Sequence, residues 1–131
     1  MLNPPAPQAL LLQIGDAADR VGLSLRTIRH WESVGLVTPQ RTSGGLRLYT
    51  ETDIERLLVL KRMKPLDLSL GAMAELIGLL DAVAVDGADA RALDELAVFQ
   101  DRAGAAIVKH ELYVEQAREL RDLIAEGRGS A

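Results

Sequence analysis

The apolar residues Ile14, Ala17, Ala18 and Val21 recur three and four positions apart, the spacing of one helical face. In "VGLS", Gly22 then supplies a turn and Ser24 an N-cap, so a second helix is predicted from Leu25 to about Val34, stopping at Gly35. Two short helices joined by a glycine-containing turn make a helix-turn-helix. Over "LVTPQRTSGGLRLYT" the period falls to two: Leu46 and Leu48 alternate with Arg47 and Tyr49 behind the turn pair Gly44 and Gly45, which predicts a small β-hairpin. Thr50 with Asp53 reads as a capping box for a third helix carrying Ile54, Leu57, Leu58 and Leu60, which Pro65 ends. Ser69 caps a fourth helix containing Met73, Ile77 and Leu80.

"VAVDGADA" reads as a break, and beyond it one long helix is predicted from about Asp89 to Glu126. Leu96, Ala103, His110, Ala117 and Ile124 take one heptad position and Phe99, Ala106, Tyr113 and Leu120 the other, a coiled-coil seam with His110 as its polar intruder. Such a helix of ~38 residues is ~57 Å long, more than the width of a domain of this size. The seam could fold back on its own domain, but that length favours binding to a second copy. The organisation is mainly α: a mobile, proline-bearing tail over 1–11, a compact unit over 12–82, a dimerisation helix over 89–126 and a tail over 127–131.

Composition narrows the chemistry. At 131 residues the chain holds one domain with an appendage. It has no cysteine, which excludes disulfides, thiolate metal sites, cysteine nucleophiles and thiol redox sensing, and fits the cytoplasm. The start, "MLNPPAPQALLLQ", carries no cationic region and only the apolar run Leu10 to Leu12, so neither a signal peptide nor a membrane span is expected. The net charge of -4 is unevenly spread. Residues 1–66 hold nine Lys or Arg against six Asp or Glu, whereas 67–131 hold six against thirteen. A basic front half points to a polyanion as partner.

The second helix carries the densest chemistry. At ~100° per residue, Leu25, Ile28 and Trp31 share one broad side while Arg26, Arg29, His30 and Ser33 lie in an arc on the other. An arginine fork there can take phosphate or the O6 and N7 edge of guanine. Arg41 and Arg47 flank the hairpin turn, where they can follow a groove or the backbone. Plainer roles stand beside these: Arg29 paired with Glu32 or an acid of the first helix, Trp31 in the core, Tyr49 bracing the hairpin. Enzyme chemistry is not expected, because there is no phosphate-cradling glycine loop, clustered histidine or paired-carboxylate site. His30 and His110 form no metal motif, so neither metal nor cofactor is expected.

The series "IGDAA", "GLSLRTIRHWE", "GLVTP", "GGLRLYT", "DIERL" and "LSLGAM" resembles the MerR family of bacterial transcription regulators over residues 12 to about 80. The resemblance implies a winged helix-turn-helix domain, an antiparallel coiled-coil homodimer, double-stranded pseudo-palindromic promoter DNA as partner, and distortion of that DNA at a promoter used by RNA polymerase. It places Ser24, Arg26, Thr27, Arg29, His30 and Trp31 on the recognition helix and Arg41, Arg47 and Tyr49 on the wing. The chain departs from the family where His30 replaces a common tyrosine and where Pro65 and Asp67 replace a helix end and a glycine. It also lacks the cysteines that metal- and redox-sensing members carry near the end of the dimer helix. Two other functions fit the same scaffold: a protein-interaction module without sequence-specific DNA binding, and a sensor with a small-ligand pocket between the fourth helix and the dimer helix.

Overall fold

The computed structural model describes residues 11–87 and 89–129. The expected N-terminal tail falls, but for Leu11, outside the described residues, as do the last two positions of the expected C-terminal tail. In chain order the elements are α1 (Ile14–Val21), α2 (Leu25–Ser33), β1 (Gln40–Arg41), β2 (Arg47–Leu48), α3 (Glu51–Arg62), α4 (Leu70–Asp86) and α5 (Ala90–Gly129), with a 3-10 turn over Lys64–Leu66. None of these helices is long and apolar enough to cross a membrane.

Local chemistry explains most of the boundaries. Gly22 takes a left-handed conformation, φ +67°, and its N–H closes α1 on the Ala18 carbonyl. A Cβ at Gly22 would stand 2.9 Å from Lys61 Nζ, which itself donates to the Val21 carbonyl at 2.8 Å. The helix-turn-helix corner is thus shut from both sides. Ser24 Oγ accepts from the Thr27 N–H to start α2, and the Thr50 and Asp53 capping box starts α3 with both reciprocal bonds present. Asp89 Oδ1 accepts from the Ala92 N–H at the head of α5.

β1 and β2 pair antiparallel, Gln40 opposite Leu48 and Arg41 opposite Arg47. The turn between them closes through the Gly45 N–H on the Thr42 carbonyl, with Gly45 at φ +84°. Behind β2 the backbone of Tyr49 exchanges two hydrogen bonds with Leu12, at 2.7 and 2.9 Å, which ties the wing to the segment entering α1. Asp67 also lies in the left-handed region, φ 52°, a conformation that glycine adopts at least cost.

The core gathers Ala17 and Val21 of α1, Ile28 and Trp31 of α2, Leu36, Val37, Tyr49, the α3 residues Ile54, Leu57 and Leu60, and Ile77 of α4. Each large side chain buried there contributes roughly 1.5 to 3 kcal/mol. Leu25, expected on the core side, is 39% exposed, because it opens α2 one turn before the packed stretch begins.

Two boundaries differ from expectation. α4 continues through Val83 and Asp86 and breaks only at Gly87, φ 78°, so most of the supposed linker is helix. α5 runs on to Gly129 and takes residues 127–129 from the expected tail.

Candidate nucleic-acid interface

α2 sits on the core through Ile28 and Trp31, and that anchoring decides what its other side offers. Arg26, Arg29 and His30 are exposed, and their side chains make no hydrogen bond or ion pair among the described residues. Three donor-rich groups within two helical turns, unsatisfied by the protein, suit an anionic ligand. Ser24 and Thr27 lie at the same end, but their hydroxyls bond each other at 2.9 Å in the cap. The suggested Arg29 to Glu32 pair does not form.

Glu32 turns instead to the wing. One carboxylate oxygen accepts from Arg41 Nη2 and the other from Arg47 Nε, while the Glu32 side chain itself is only 13% exposed. Arg41 Nη1 also donates to the Gly45 carbonyl at 3.1 Å, across the tip of the hairpin. A single acid thus ties both wing arginines to the recognition helix and leaves the clamp with one net positive charge. Among the described residues Arg47 uses only its Nε, which leaves the N–H donors of both terminal amino groups without a partner there.

Trp31 and Tyr49 require a correction. Expected at the interface, both belong to the core: Trp31 is 9% exposed and Tyr49 0%. Trp31 lies on the side of α2 that packs inward with Ile28, and Tyr49 follows β2 beneath the wing, where its backbone is locked to Leu12. The Tyr49 hydroxyl is buried and finds no hydrogen-bond partner among the described residues. Burial first, and then the negative charge of Glu32, push its phenol above the ordinary value of 10.0, although Arg47 and Arg41 work against the shift.

The predicted seam divides in two. Phe99 is buried and Leu96, Ala103 and Ala106 are partly buried, because the first half of α5 packs on α4 and the 3-10 turn of its own chain. His110 marks the change: it is exposed, yet its Nε2 lies 3.3 Å from the Pro65 carbonyl. Tyr113, Ala117, Leu120 and Ile124 project free of the fold. A groove of about 590 Å³ opens where the halves meet, between Arg62, Pro65 and Leu66 on one side and Ala103, Ile107, His110 and Val114 on the other. It takes no residue from α4, unlike the pocket suggested for a sensor. No group of three or more His, Asp or Glu that could hold a metal ion occurs among the described residues.

A helix pair with a glycine turn, a second helix bearing free cations, and a two-stranded wing clamped beside it define a winged helix-turn-helix module with a long C-terminal helix. Residues 12–79 match the family described as MerR HTH family regulatory protein, and the chain belongs to that family. It is 39% identical over 70 residues to the mercuric resistance operon regulatory protein of Bacillus cereus, covering 53% of each. It is 35% identical over 116 residues to the HTH-type transcriptional regulator PA4778 of Pseudomonas aeruginosa, covering 88% of this chain and 74% of that one. Its fold matches the crystal structure of HiNmlR, a MerR family regulator lacking the sensor domain and bound to promoter DNA, with a TM-score of 0.64 at 20% identity, over 81% of this chain and 80% of that one. The chain spans about half the length of several curated relatives it matches.

The residue that sequence reasoning missed is Glu32, weighed only as a neighbour of Arg29. Its clamp is built across nine and fifteen residues, a range that helical spacing does not report.

Proposed function

We propose that the chain is a DNA-binding transcription regulator that acts in the cytoplasm, binds a pseudo-palindromic promoter site as a homodimer and works by distorting that site, with RNA polymerase as the partner that reads the result. The observation that carries this reading is the row of Arg26, Arg29 and His30, exposed and unpaired among the described residues, on a helix whose opposite side is fixed in the core. A protein-interaction module would not need it. Arg41 and Arg47 follow the backbone beside the groove that α2 enters. The free stretch of α5, with Tyr113, Leu120 and Ile124 exposed, supplies the dimer contact as an antiparallel coiled coil.

Two recognition helices held at a fixed separation make the duplex bend or untwist to meet both, at a cost of order 1 to 6 kcal/mol that several arginine-phosphate contacts offset. Such a protein activates where the distortion realigns promoter elements across an overlong spacer, and represses where the spacer is ordinary. Mobility shifts with duplexes selected from a random pool test the binding. Arg26→Ala should cost roughly 1 to 3 kcal/mol and relax the preference at one base pair. Absence of binding to any duplex at low salt refutes the function. Transcription in vitro from the selected site, with the spacer shortened by a base pair or two, tests the mechanism. An effect indifferent to spacer length leaves simple occlusion.

A further inference from the structure

Arg56 stands on α3 and joins the segment that follows α2 to α4. Its Nε donates to the Leu36 carbonyl at 2.7 Å. Its Nη1 reaches both carboxylate oxygens of Asp81 on α4, at 3.0 and 2.7 Å. Leu36 is in turn bonded to the recognition helix, its N–H donating to the Trp31 carbonyl at 2.9 Å. A continuous polar path therefore runs from the end of α2 through Leu36 and Arg56 to Asp81.

α4 is the element that carries α5. It meets the core through buried Ile77 near its middle, with Met73, Leu76 and Leu80 packed beside it, and Asp81 lies one turn beyond Ile77, toward the junction at Gly87. Apolar contacts along one side of a helix fix its direction less sharply than polar ones, because they have no preferred direction. A guanidinium fork that holds a carbonyl on one edge and a carboxylate on another fixes direction as well as distance. Arg56 is partly buried, with 24% of its side chain exposed, so water screens the pair less than at an open surface.

We infer that Arg56, with Asp81, is a positioning pair that fixes α4 and α5 relative to α2 and so sets the half-site separation the protein accepts. The inference rests on the two-half-site reading proposed above. Neither residue needs to touch DNA. Loosening the pair should leave recognition by one α2 intact while widening the range of separations that the two together tolerate.

The test uses the full chain and a duplex site selected in vitro, remade with the half-sites moved apart or together in single base pairs, and a control with one half-site scrambled. Asp81→Asn keeps the shape of α4 and removes the charge. Arg56→Lys keeps the charge and loses the fork. Both variants should bind the scrambled control as the wild type does, lose affinity for the best-spaced site by at least about fivefold, the lower range of measured site-to-site couplings, and show a flattened dependence on spacing. Unchanged melting temperature and circular dichroism establish that the variants are folded. Variants with the wild-type spacing optimum and affinity overturn the inference while leaving the proposed function standing. Equal loss on scrambled and complete sites also overturns it, since the pair would then only support the recognition helix. A wild type that selects no duplex overturns the proposed function, and this inference with it.

Discussion

Removing one oxygen from the core tests the placement of Tyr49. The Tyr49 side chain is fully buried, its hydroxyl has no partner among the described residues, and both oxygens of nearby Glu32 are engaged by Arg41 and Arg47. A buried polar group left unsatisfied costs roughly 1 to 3 kcal/mol, whereas its removal at nearly constant shape forfeits only the packing of one atom. Tyr49→Phe should therefore stabilise the protein by about 1 kcal/mol, a rise of roughly 2 to 8 °C in melting temperature. DNA affinity should not change. The same substitution has a pH signature. Because the folded phenol titrates above 10.0, the unfolded chain loses this proton first as pH rises, so wild-type stability falls above about pH 10 and Tyr49→Phe lacks that part of the fall. Thermal melts at neutral pH and at pH 10 to 11, with mobility shifts alongside, measure all three. A loss of more than about 1 kcal/mol at neutral pH would show that the hydroxyl has a partner, and a loss of DNA affinity without a loss of stability would return Tyr49 to the interface.

Glu32→Gln removes the charge that holds both wing arginines and should make binding more salt-dependent, by about 0.9 in the slope of log affinity against log salt, while discrimination between selected and random duplexes falls; an unchanged slope and selectivity would refute the clamp. Leu120→Glu places a charge on the free half of α5, where the side chain is 56% exposed in the single chain, so sedimentation should find a folded monomer that no longer binds a two-half-site duplex. A mutant that stays dimeric would move the contact elsewhere. Protein purified from its native cells should carry no stoichiometric transition metal, since the chain has no cysteine and only two histidines; a one-to-one zinc or copper content by elemental analysis would contradict this.

The helix-turn-helix was readable because its signals are local: a glycine at a left-handed corner, a serine cap, an apolar face at helical spacing. The capping box before α3 was legible for the same reason. Val83 to Asp86 misled because alanine and valine beside an acid suit a helix end as well as a linker, and only packing decides. Trp31 showed its inward side on the helical wheel, yet the family pattern drew it toward DNA. For Tyr49 the strand alternation put it on the face of Arg47, opposite Leu46 and Leu48, and gave no sign of its burial or of its backbone pairing with Leu12, far back along the chain. The heptad pattern did not reveal that its two halves differ, since Phe99 and Leu120 look alike to a period and differ in whether their own domain reaches them.

α5 holds 40 residues in one unbroken helix, a rod of roughly 60 Å. A rod that long converts rotation at its base into travel at its tip at about 1 Å per degree, while successive base pairs rise by ~3.4 Å. In the dimer proposed above, a joint error of three or four degrees would therefore equal a full step along the DNA. The mechanical gain that would let a small rearrangement near Gly87 move the proposed partner by a base pair would also magnify every thermal wobble there. Tolerance at the joint, rather than affinity at the groove, then becomes the quantity that selection must hold tight.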